Sequence, residues 1–179
     1  MLFGFAISVF TSQGIPFIFC GEEMFRSKLG EKNTYNMPDK YNAIDWSLKS
    51  EYSSLVEFVK GLIAMRKAHP AFSLGTAEAV REHLSFIEVE NEAAVGFVLD
   101  NLEGIDSAKR IVVLLNGSRE GVEFTIPEGN YKWLTDGTTV VAEGMGSLPV
   151  DDGKFVVSPV TGVGRGARRQ EPRCSIGKC

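Results

Sequence analysis

Two adjacent carboxylates, Glu22 and Glu23, follow Gly21 at the end of an unbroken apolar run from Ile15 to Cys20. Carboxyl groups are the residue type of general acid–base work, so chemistry is looked for here first. Neighbouring residues of a strand point to opposite faces, however, which separates the two groups and favours a supporting role for Glu23 at the strand end over catalysis, with Glu22 free to be solvated. Beyond them the chain turns polar. Met24 to Ser50 scatters Asn33, Asn36, Asp39, Asn42 and Asp45 among Tyr35, Tyr41 and Trp46. A loop of this length is functional or disordered, and its aromatic content favours function. His69 and His83 have no nucleophile or metal ligand near them in sequence and read as structural. Cys20 sits in the apolar run as a small buried hydrophobe, and Cys174 and Cys179 lack the spacing of a zinc site.

The elements that must carry these residues are of two kinds. The first segment, from Met1, reads as a helix that ends near Ser12, followed by a turn at Gln13-Gly14 and a strand at Ile15 to Cys20. An apolar run of strand length suits a parallel strand covered on both faces. Ser54 and Glu57 form a capping box, and the helix after them places Leu55, Phe58, Val59, Leu62 and Ile63 on one face until His69-Pro70 ends it. After Ala71 the pattern becomes short strands between turns: 84–90, 94–99, 110–115, 122–126, 131–134 and 154–160. Phe86, Phe97 and Val113 are core candidates there, and Trp133 is expected to pack half-buried. The fold class is therefore α/β plus all-β. A lone strand between two helices cannot cover its own edges, so a partner, or an earlier part of a longer protein, is expected to complete it.

Composition agrees with a globular chain: 179 residues, 44% hydrophobic and 23% charged. Net charge is −4 although five basic residues follow Gly164 against one acid, so the body is more acidic than the total suggests. Such a body repels nucleic acid and anionic membrane, and neither is expected as a partner. The basic stretch 164–179 reads as a disordered tail. Met1 to Phe10 is apolar but has no Lys or Arg before it, which favours a buried helix over a signal peptide and leaves localisation open.

Ordered motifs make the reading specific. Ser12-Gln13-Gly14-Ile15-Pro16, Gly21-Glu22-Glu23, Arg26-Ser27-Lys28, Asn33-Thr34-Tyr35-Asn36, Asp39, Ile44-Asp45-Trp46 and Arg66-Lys67-Ala68-His69-Pro70-Ala71-Phe72 together resemble type I pullulanase, a debranching glycoside hydrolase of the α-amylase family. The resemblance spans about residues 1–163. It implies that 1–72 are the last strand and helix of a (β/α)8 barrel and that 73–163 are a carboxyl-terminal antiparallel β-sandwich. It implies hydrolysis of α-1,6 linkages in α-glucans (pullulan, amylopectin-type branches) with retention, which needs two carboxyl groups about 5–5.5 Å apart. In the family these lie on earlier strands, so no catalytic residue is expected in this chain and it is expected to be inactive alone. A non-catalytic glucan-binding β module, and a subunit completing a split barrel, remain as alternatives.

The resemblance also distributes roles. Asp39 matches an aspartate that contacts glucose units, and Tyr35 and Asn36 offer the ring and amide that sugars use. The alternative is that Asn36 and Asp39 serve only turn hydrogen bonds. Some members carry an arginine four residues after this aspartate; here it is Ala43, which removes one sugar contact. Arg26 is a further substrate-contact candidate, with pairing to Glu23 or Asp39 the expected alternative. Gly21, Glu23 and Trp46 are expected to be structural at the barrel rim, Trp46 as a packed anchor. No cofactor is implied, and calcium is not readable from this chain.

Overall fold

The computed structural model describes residues 2–159 and 175–178. The elements run α1 (Leu2–Thr11), a 3-10 turn (Glu22–Met24), α2 (Asp39–Asn42), α3 (Leu48–Glu51), α4 (Ser53–Ala68), a second 3-10 turn (Pro70–Phe72) and α5 (Ala77–His83). Then come β1 (Leu84–Ile87), β2 (Ala94–Leu99), β3 (Ile111–Asn116), β4 (Val122–Thr125), β5 (Gly129–Thr135), β6 (Val140–Val150), β7 (Lys154–Val157) and β8 (Ser175–Lys178). Six strands form an antiparallel sheet in the order β1-β2-β3-β8-β5-β6, while β4 and β7 pair in a second. The described chain is a mixed helix and antiparallel-sheet unit.

Strand alternation explains how the large sheet is buried on both sides. Phe97 and Leu99 of β2, with Ile111 and Val113 of β3, join one core with Ala6, Ile7 and Phe10 of α1 and Leu55, Phe58, Leu62 and Met65 of α4. The intervening Val98, Val112 and Leu114 join a second core with Val122, Phe124 and Val157 of the small sheet. The first core runs without a break across position 72. Gly61 lets α4 approach β6 closely: a Cβ there would lie 2.8 Å from Cβ of Val140. Asn116 sews β3 to β7 by donating to the carbonyl of Val157 (3.0 Å).

Several expectations change. Ser54 and Glu57 form no capping box; the helix begins one residue earlier, and Glu57 instead pairs with Lys60 at 2.6 Å. Residues 15–20 contain no strand, because none of the described residues offers them a ladder partner. Ile15 is 95% and Phe17 86% exposed, and Cys20 is exposed rather than buried. Phe86 lies at 72% exposure on β1, the edge strand of the large sheet among the described residues. Within the tail expected to be disordered, Ser175–Lys178 forms β8 between β3 and β5; residues 160–174 and Cys179 lie outside the described residues. Trp133 packs edge-on against Phe155, centroids 5.5 Å apart, as its alternation predicts.

Candidate functional site

The turn after α1 is held by long side chains. Arg66 of α4 donates to the carbonyls of Phe10 (2.9 Å), Ser12 (2.8 Å) and Gly14, ending α1 with the charge a helix C-terminus favours. Gln13 bridges to Ala71 and Leu74, donating to one carbonyl and accepting from the other residue's N–H. The apolar stretch therefore leaves the body at a fixed point.

At its end the chain reverses tightly. Gly21 has φ 96°, and a Cβ there would meet Cβ of Arg26 at 2.7 Å, so this position needs glycine. Glu23 accepts from the Gly21 N–H and Glu22 from the Phe19 N–H, each at 3.0 Å. Both carboxylates are thus spent on the turn's own backbone. Phe25, also at positive φ, stacks edge-on against Tyr52.

Arg26 does not pair with Glu23 or Asp39. Its guanidinium donates to the carbonyls of Cys20 (3.1 Å) and Asn42, and lies 5.1 Å from the centroid of the Phe19 ring. Carbonyls are available to it at every residue, whereas Glu23 is committed to the Gly21 N–H. Lys28 faces the same ring at 5.6 Å and donates to Oδ1 of Asn42 at 2.7 Å. Desolvation, and then the charge of Arg26, push the Lys28 ammonium below its ordinary pKa.

Asn42 completes the arrangement by donating from Nδ2 to the carbonyls of Thr34 (2.7 Å) and Met37 (2.8 Å). It closes the turn that carries Tyr35 and Asn36 and leads through Pro38 to Asp39. Those three side chains are exposed and make no hydrogen bond among the described residues, so none is occupied with turn formation. A phenol ring, an amide and a carboxylate standing free on one loop can stack on and hydrogen-bond a polyhydroxylated ligand.

Trp46 is 64% exposed rather than packed against the described residues. The Asp45 carboxylate beside it accepts from the Ser47 hydroxyl (2.6 Å) and N–H (2.9 Å), and these bonds hold its pKa below the usual range despite some desolvation. Sequence reasoning missed Asn42 and Lys28 as parts of the site; Asn42 has no spacing that separates it from Asn33 or Asn36. His69 is structural, between Asp106 (2.8 Å) and the carbonyl of Ala142 (2.7 Å). Among the described residues no three His, Cys, Asp or Glu side chains gather to hold a metal.

Residues 80–139 match the family model described as the pullulanase all-beta domain. A pullulanase of Bacillus subtilis is 35% identical over 132 residues, which is 73% of this chain and 18% of that protein. A solved pullulanase from Bacillus acidopullulyticus covers 99% of the chain at 29% identity and TM-score 0.83, with 20% of its own length. The type I pullulanase of Bacillus subtilis, solved with maltose, covers 99% of the chain at 27% identity and TM-score 0.82. The chain thus spans about a fifth of the length of these relatives. Within that span it is pullulanase-like in both sequence and fold.

Proposed function

We propose that this chain is the carboxyl-terminal part of a debranching glycoside hydrolase acting on α-1,6 linkages of α-glucans such as pullulan. In this reading residues 1–72 supply the last strand, rim loop and last helix of a (β/α)8 barrel, and 73–163, with β8 completing its sheet, a stabilising β-sandwich domain. Ile15, Phe17 and Phe19 become the strand once neighbours pair with it. Gly21 and Glu23 shape its end, and Trp46 packs on the completed rim. Tyr35, Asn36 and Asp39 contact glucose units, with Arg26 beside them.

The observation that carries the reading is the pairing of two features in sequence. An exposed apolar segment with no ladder partner runs directly into a loop whose aromatic, amide and carboxylate side chains are free. The first suits an edge inside a larger sheet, and the second suits a sugar site above it. The maltose held by the solved Bacillus subtilis pullulanase supports an α-glucan as ligand.

Retaining hydrolysis needs a nucleophile and an acid facing each other. Glu22 and Glu23 are bonded to backbone N–H groups and cannot serve as that pair. Purified chain incubated with pullulan should release no reducing ends. Maltotriose production by the chain alone would refute this division of labour.

A further inference from the structure

We propose that Asn42 is the positioning residue of the glucan-contact loop: it fixes the Thr34–Met37 turn, and so presents Tyr35, Asn36 and Asp39 to the sugar. The inference rests on the sugar-site reading above and adds a residue to it.

The three presented side chains are exposed and unbonded, so only the backbone decides where they stand. Asp39 is held by α2, through Tyr41 N–H to the carbonyl of Pro38 (2.9 Å) and Ala43 N–H to the Asp39 carbonyl (2.7 Å), but the turn before it has few ties of its own. Met37 N–H donates to the carbonyl of Thr34 at 3.0 Å, and Tyr35 N–H reaches Oδ1 of Asn33 at 3.4 Å, near the limit of a hydrogen bond. The Asn42 amide bonds the carbonyls at both ends of the turn, at 2.7 and 2.8 Å. The orientation of the amide is unambiguous, because its nitrogen faces two acceptors and its oxygen faces the Lys28 ammonium at 2.7 Å. Asn42 is itself anchored from below. Lys28 holds its side chain, Arg26 holds its carbonyl, and both cations rest over the Phe19 ring. A continuous set of contacts therefore runs from the apolar segment to the sugar-facing turn, and among the described residues Asn42 is the side chain whose hydrogen bonds cross to it.

The chemistry predicts which substitution is informative. Asn42→Asp keeps an oxygen for Lys28 and leaves the backbone carbonyl to Arg26. It replaces the donating nitrogen with an anionic oxygen facing two carbonyls, which repels the turn. Asn42→Gln carries the same amide on a longer stem.

The test uses the whole 179-residue chain, with amide hydrogen exchange and NMR titration by millimolar maltotriose. In N42D, exchange at Thr34 to Asp39 should accelerate by about tenfold, the effect of losing one or two hydrogen bonds. Protection in α4 and β3 should stay unchanged. The maltotriose-induced shifts at Tyr35, Asn36 and Asp39 should need about tenfold more sugar, and N42Q should recover part of both effects. Loss of protection throughout α4 and β3 would make Asn42 a general stabiliser and overturn the inference. Maltotriose binding that N42D leaves untouched overturns the inference alone. An unmodified chain whose Tyr35–Asp39 signals ignore maltotriose overturns the inference for this chain but not the barrel reading, which fails only if the chain grafted into a pullulanase leaves pullulan uncut.

Discussion

The His69 ring is 1% exposed and the Asp106 carboxylate against it is fully buried, so this contact is dry on both sides. His69 ends α4, Asp106 lies in the loop before β3, and Ala142, which takes the other ring nitrogen, belongs to β6. One side chain thus locks the last helix to two parts of the β region. Burial favours the neutral Asp106 carboxyl, but the N–H of Ala108, the hydrogen bond and charge of His69 and the N–H of Ala71 outweigh it and depress its pKa. A depressed folded-state value means that the stabilisation is complete above the unfolded pKa of about 3.9 and is lost as pH falls through the folded value. Asp106→Asn should cost about 3 kcal/mol at neutral pH, read as a lower urea midpoint, because it leaves a buried polar group badly paired. It should also flatten the fall in stability below about pH 4. A variant as acid-sensitive as the parent would show that another carboxylate controls that limb.

At the scale of elements, α4 against β6 makes the sharpest claim. Alanine at position 61 gains about 1 kcal/mol of helix propensity over glycine, but its Cβ would sit 2.8 Å from Cβ of Val140. The branched carbon cannot swing aside, so Gly61→Ala should be net destabilising by about 1–2 kcal/mol, measured by thermal unfolding. Combining it with Val140→Ala should cost less than the sum of the two single changes. A gain in melting temperature from Gly61→Ala alone would mean that the two elements stand further apart.

The same elements mark what could be read in advance. α1 and α4 were legible because their apolar residues follow the helical period, and β2, β3 and β4 because theirs alternate or run together. β6 was hidden: Gly144, Gly146 and Pro149 look like turn residues, yet both glycines merely accommodate positive φ within a bulged strand. α5 is short and exposed, and only its Thr76 cap, accepting from Ala79 N–H at 3.1 Å, marks it. β8 sits in a basic stretch whose composition suggests a tail, but its place is set by the gap between β3 and β5. The loop residues Tyr35, Asn36 and Asp39 were legible by side-chain type. The partners of Arg26 were not, since it chose carbonyls, which every residue carries alike.

At the scale of the molecule, the apolar face is concentrated where the chain leaves α1. Ile15 and Phe17 contribute nothing to either core, so their replacement should leave unfolding unchanged. The double change Ile15→Lys with Phe17→Ser should keep the urea midpoint within about 0.5 kcal/mol while reducing self-association in sedimentation. A large loss of stability would show that the segment folds back onto the body.

The most direct measurement grafts the whole chain, β8 included, in place of the matching fifth of the Bacillus subtilis pullulanase and assays the chimera on pullulan. Maltotriose release, weakened by Asp39→Ala, is the predicted result. A chimera that is folded by circular dichroism and thermal unfolding, yet leaves pullulan uncut, would contradict the account.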